Sequence, residues 1–301
     1  MLFSGLPVRG ERTIWMKFSN RILLILSLTM MMGFGACTKP EQPSGNQAQP
    51  PAAAKKTDGK SAKTIGAYTS TANKFYLRNS NSSGDANIIF SFGPSSQSLM
   101  PIAGDWDGDG KDSVGLYDPV KGVWFLKNAN ADGVADITFS FGPSGQNLLP
   151  VAGDWDGDGK DSVGLYDPVK GVWFLKNANV DGVADITFSF GPSGQTLLAV
   201  AGDWDGDGKD SVGLYDPVKG VWFLKNANAD GVADITFSFG PSGQNLLPVA
   251  GDWDGDGKDG VGLYDPAKGG WFLKNSPANG IADAIFTAGV TSAKPIVGRW
   301  Q

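Results

Sequence analysis

Nine residues, Gly-Asp-Trp-Asp-Gly-Asp-Gly-Lys-Asp, occur four times, starting at Gly104, Gly153, Gly202 and Gly251, a fixed step of 49 residues. Each copy sets carboxylates at alternate positions: Asp105, Asp107 and Asp109; Asp154, Asp156 and Asp158; Asp203, Asp205 and Asp207; Asp252, Asp254 and Asp256. Side chains at positions one, three and five of such a loop converge on one point. Glycine at position six permits the sharp turn, and the main-chain carbonyl at seven (Lys111, Lys160, Lys209, Lys258) adds an oxygen. An all-oxygen set of this kind is the chemistry of Ca²⁺. Position nine is Ser113, Ser162, Ser211 or Gly260, and a glycine has no side chain to ligate with. The next ligand is therefore expected at position eight, Asp112, Asp161, Asp210 and Asp259, with water filling any gap. Turn chemistry alone explains one Asp-Gly pair. It does not explain three carboxylates within five residues, whose repulsion calls for a cation.

Other chemistries are excluded by composition. The chain has no histidine and one cysteine. Ser-His-Asp and Cys-His nucleophiles and histidine zinc sites are ruled out, as is any disulfide within the chain. The net charge is −6, and residues 1–36 carry four basic residues against one acidic, so the remainder carries −9. A protein this acidic offers nucleic acid no basic face.

The fixed step marks a repeat architecture. In the second unit, Ser113–Asp118 reads as a strand, Asp118–Gly122 as a turn, and Val123–Lys127 as another strand. Asp136–Phe141 follows, with Ile137, Phe139 and Phe141 on one face, and then Leu148–Gly153, which runs into the next acidic loop. The same pattern starts at Ile65 and ends at Gly298, giving five units of four strands. The expected fold is all-β: a five-bladed β-propeller over residues 63–301, closed when the last strand pairs with the first unit. The phase of the repeat supports closure, since Gly298-Arg299-Trp300 replaces Gly-Asp-Trp and no acidic loop follows. An open β-solenoid is the alternative, at the cost of two unpaired edges.

The acidic loops resemble the calcium loops of FG-GAP and VCBS repeats, found in integrin-type propellers and many bacterial surface proteins. The resemblance spans all five units and is strong in four; it implies Ca²⁺ as the cofactor. The family carries aspartate at position nine, where this chain has serine or glycine.

A second motif, N-x-N-x-D-G-x-x-D, runs from Asn128 to Asp136 and recurs from Asn177 and Asn226. It fits either a weaker calcium loop or an Asx-rich turn, at the same end of the blades as the first loop. Repeated tryptophans (Trp106, Trp155, Trp204, Trp253 and Trp300; Trp124, Trp173, Trp222 and Trp271) suit either packing between blades or stacking on sugars.

At the N-terminus, Lys17 and Arg21 precede an apolar run, Ile22–Phe34, too short for a confident membrane span. Met16 makes a better signal start than Met1. Residues 1–36 are read as a signal peptide. Phe34-Gly35-Ala36-Cys37 resembles the lipobox of bacterial lipoproteins, which implies lipidation of Cys37; an ordinary secretory signal cleaved near Ala36, or an uncleaved anchor, is the alternative. Residues 37–62, rich in Pro, Gln, Ala and Ser, read as a flexible linker. The expected protein is exported, anchored through a lipid to a membrane of the bacterial cell envelope. The sequence admits three functions. The first is a non-catalytic, calcium-stabilised surface propeller with a protein or other surface partner. The second is a multivalent glycan-binding propeller, in which repeated weak sites gain by avidity. The third is a glycosidase using paired carboxylates. Because almost every acidic residue belongs to a repeated set, the enzyme reading ranks last.

Overall fold

The computed structural model describes residues 61–94 and 97–301. The segment read as a signal peptide, Cys37 and the expected linker up to residue 60 lie outside the described residues.

Five antiparallel sheets of four strands each make up the fold. Blade 2 shows the unit: an inner strand Met100–Gly104, then Ser113–Asp118, Val123–Leu126 and an outer strand Ile137–Ser140. Blades 3 to 5 repeat it in order, with inner strands Leu149–Gly153, Leu198–Gly202 and Leu247–Gly251. Blade 1 is assembled from both ends of the chain. Its inner strand, Lys294–Gly298, pairs antiparallel with Thr64–Thr69, placing Ile65 opposite Val297 and Ala67 opposite Pro295. Each inner strand neighbours the next, including that of blade 5 beside that of blade 1, so the ring is closed. The solenoid alternative falls, because the last strand returns to the first unit.

Alternation along the strands explains the packing. In Ile137–Ser140 the exposed positions are Thr138 and Ser140, while Phe139 is buried. Trp124 is fully buried and lies against Tyr117, ring centres 4.3 Å apart, and stacks on Phe139 at 6.3 Å. Its indole N–H donates to the Phe141 carbonyl at 2.9 Å, so the one polar atom of the ring is satisfied inside the core. The same set recurs around Trp173 and Trp222. Each cluster also recruits residues from the next blade: Val163 and Leu165 of blade 3 join Trp124 of blade 2. All nine repeated tryptophans are buried. They are packing residues, and none offers a sugar a stacking face.

The Asn-rich motif also binds blades together. Asp132 accepts the Ser91 amide of the preceding blade's outer strand at 2.8 Å, and Asp181 and Asp230 do the same for Ser140 and Ser189 at 2.7 Å. A free strand edge is thereby capped by the next unit.

Deleting residues 294–301 removes the inner strand of blade 1 together with buried Ile296 and Trp300. Losing either side chain alone costs roughly 2–5 kcal/mol. The expected result is a global loss of stability, read as a large fall in the urea midpoint of tryptophan fluorescence. A truncated chain that keeps nearly full stability and one sharp transition would show that closure does not hold the ring.

Candidate metal centre

In blades 2 to 5 the acidic loop joins the inner strand to the second strand of the blade. Its shape comes from Asp105, whose carboxylate gathers three amides: Gly108 N at 2.8 Å and Asp109 N at 3.1 Å on Oδ1, and Gly110 N at 2.9 Å on Oδ2. Gly108 and Gly110 take φ values of +80° and +87°, which a residue with a Cβ seldom adopts. Asp109 Oδ1 accepts the Lys111 amide at 2.8 Å and closes the turn. Asp154 and Asp203 gather the equivalent amides in blades 3 and 4.

This folding brings the carboxylates of Asp105, Asp107 and Asp109 together, with one oxygen from each within 4.8 Å of the others. Asp154, Asp156 and Asp158, Asp203, Asp205 and Asp207, and Asp252, Asp254 and Asp256 form matching clusters. Oxygens held about 2.4 Å from one Ca²⁺ lie no more than about 4.8 Å apart, so the clusters fit that ion. A carboxylate has about four lone-pair sites, and the three amides on Asp105 leave capacity for a cation. Burial raises the Asp105 and Asp203 carboxyls above the usual carboxylate range, partly offset by the amides of Gly110 and Gly108, and of Gly208 and Gly206. A bound cation would favour the charged form that burial penalises.

Blade 5 differs. Arg299 Nη2 lies 4.0 Å from Asp252 Oδ2, and Asn275 donates to Asp254 Oδ2 at 3.0 Å. Two of its three carboxylates therefore already carry a partner.

Position eight goes elsewhere. After Lys111 the chain turns toward the axis of the ring. Asp161 Oδ2 accepts the Asp105 amide of the preceding blade at 2.8 Å, Asp210 accepts that of Asp154 at 2.9 Å, and Asp259 that of Asp203 at 3.3 Å. Asp112 closes the series by accepting the Arg299 amide at 2.6 Å. Gly104 makes room for this, because a Cβ there would lie 2.8 Å from the Asp161 Cβ. These four aspartates are staples between blades rather than members of the three-carboxylate clusters.

One residue of this ring is easily missed in the sequence. Stepping back 49 residues from Asp112 leads to Lys63. Its amide donates to Asp252 O at 2.8 Å, as the Asp112 amide donates to Arg299 O, and its Nζ lies 3.4 Å from Asp259 Oδ2. Lys63 and four aspartates thus encircle the axis at the floor of an acidic cavity of about 280 Å³. Burial, then the charges of Asp210 and Asp112, holds the Asp161 carboxyl well above its usual range. Burial likewise pushes Asp210 up to about 7, against the opposing pull of Lys63.

The Asn-rich motif holds its own cation. Lys127 is buried, donates from Nζ to Val134 O at 3.0 Å, and sits 5.4 Å from the Phe92 ring centre. Asn130 accepts the Val114 amide and donates to Asp112 O, tying the two loops together on one face. Lys176 and Lys225 repeat the arrangement, 3.7 and 3.5 Å from Asp185 and Asp234. An ammonium already serves these Asx-rich turns, and the fixed lysine one residue before each motif is the signal in the sequence.

Ring and loops together define a five-bladed β-propeller with an acidic loop on four of its blades. No family model matches the chain, and no curated protein matches it. Among solved structures, the crystal structure of BBS1N in complex with ARL6DN, soaked with mercury, is similar at a TM-score of 0.39 and 8% identity, over 74% of this chain and 68% of that one.

Lys63→Met leaves the axial carboxylates without their ammonium. Removing one partner of a largely buried pair costs about 3–5 kcal/mol. Asp161 and Asp210, whose carboxyls are raised by burial, Asp210 to about 7, take up protons in the folded state as pH falls, and this part of the ring then needs less counter-charge. Measured in EGTA, the loss of stability is expected to be large at pH 8 and smaller at pH 5. A loss equal at both pH values would show that the charge of Lys63 plays no part.

Proposed function

We propose that this chain is a non-catalytic, calcium-stabilised propeller at the bacterial cell surface, held to a membrane through a lipid on Cys37, and that it presents loops to a protein partner. The observation that carries the reading is the repeated three-aspartate cluster on four blades, each built around a carboxylate tied down by loop amides. The acidic groups are distributed by repeat, whereas an active site needs one asymmetric constellation. Glycan binding had the tryptophans as its platform, and these are buried. Ca²⁺ would be held by the first, third and fifth loop positions with the carbonyls of Lys111, Lys160, Lys209 and Lys258, and would offset the repulsion among the carboxylates. It serves stability and loop order. Nucleic acid is not a fitting partner for a chain this acidic.

Calorimetric titration of the full chain is expected to find about four Ca²⁺, three of one affinity and a weaker one in blade 5. With affinities in the range of roughly 10⁻⁴ to 10⁻³ M typical of extracellular modules, each site adds about 1.4 kcal/mol at ten times Kd. No heat on titration, together with a melting temperature unmoved by EGTA, would overturn the metal reading.

The anchor has a separate test. Among the described residues no helix is long and apolar enough to cross a membrane. Cys37→Ser is expected to release the protein from the membrane fraction with its propeller folded. Retention after a carbonate wash would mean an apolar segment holds it instead of a lipid.

A further inference from the structure

The ring has a second mouth, at the end of the axis opposite the acidic loops. There each inner strand begins, with Met100, Leu149, Leu198, Leu247 and, in blade 1, Lys294. Together with the residue that follows each, they line an open recess of about 240 Å³ with no carboxylate in its own lining; Asp112, Asp161 and Asp210 line the axial channel behind it, which shares its prolines and Ala199. Lys294 stands half-buried in this apolar collar. Its ammonium donates to Leu99 O at 3.1 Å and has no carboxylate partner among the described residues. Two of its three N–H donors remain for a ligand. Burial lowers its pKa from the usual lysine value, and a nearby anion would offset that penalty. Lys63, at the other mouth, already has Asp259 beside it.

We propose that this mouth binds a small carboxylate with a short apolar body, the carboxylate on Lys294 and the body against Met100, Leu149, Leu198 and Leu247. The lining discriminates among anions. Four of the five residues that follow the collar are prolines (Pro101, Pro150, Pro248, Pro295), which have no N–H. A phosphate or a sugar needs several donors, and this mouth supplies one ammonium. A carboxylate is satisfied by that ammonium, and its apolar tail gains by leaving water. The cavity lies below the usual drug-sized range of about 300–1,000 Å³, which fits a short acyl chain.

Octanoate and octan-1-ol, which share a chain length and differ in charge, are titrated into the full chain by calorimetry. Octanoate is expected to bind about tenfold more tightly than the alcohol, the scale of one charge-assisted hydrogen bond. Lys294→Met should abolish that preference and Lys294→Arg should retain it. Leu198→Asp, which leaves the ammonium in place, should weaken octanoate about tenfold. Tryptophan-monitored unfolding of each variant confirms that the ring is intact. The proposal is overturned if octanoate shows no saturable binding, if it binds no better than octan-1-ol, or if folded Lys294→Met keeps the preference.

Discussion

A hydrogen bond from one blade's amide to the next blade's carboxylate organises this molecule. Asp161 holds the Asp105 amide, Asp210 that of Asp154, and Asp259 that of Asp203. The bond fixes the start of the acidic loops of blades 2 to 4, so their three-aspartate clusters form at a defined place. It also draws four carboxylates to one axis, which is electrostatically unfavourable where burial strips them of solvent. Lys63 relieves part of that cost at the position where the fifth aspartate would stand. Loop geometry, axial charge and ring closure are thus coupled through one repeated contact. A carboxylate paired with an amide cannot be replaced by asparagine without losing charge, nor by leucine without orphaning the amide.

The axial ring and the Asn-rich loops solve the same problem differently. In the first, one ammonium serves several carboxylates. In the second, each blade carries its own: Lys127, Lys176 and Lys225 fill the centres of their loops. Among the described residues, the three-aspartate clusters of blades 2 to 4 form no ion pair, whereas in blade 5 Arg299 lies beside Asp252 and the neutral amide of Asn275 donates to Asp254. This difference supports assigning Ca²⁺ to the acidic loops alone.

Much of the architecture was legible because it repeats. Alternation in Ile137–Ser140, the Asp118–Gly122 turn and the 49-residue step give strand, turn and blade, and the phase of the repeat places Lys294–Gly298 in blade 1. The first, third and fifth loop aspartates come together as their spacing implies. Position eight was not legible, because which way Asp112 and Asp161 turn depends on a neighbouring blade rather than on the loop itself. The tryptophans were ambiguous for a related reason: a side chain that can stack on a sugar can equally fill the gap between two sheets. Lys63 escaped notice because it sits at the seam, one residue before the first strand, where the repeat is interrupted by the chain end.

The seam has a consequence for how the ring is seen from outside. Blades 2 to 4 are nearly identical in sequence, so three-fifths of the circumference offers a visitor no landmark. The remaining sector carries Arg299 where other blades carry the first loop aspartate, Lys63 where they carry the eighth, and Lys294 where they carry Met or Leu. Both mouths are therefore marked on the same side of the axis. A body approaching along that axis meets a rotor with one distinguishable tooth, and the five-fold degeneracy of its possible orientations is lifted.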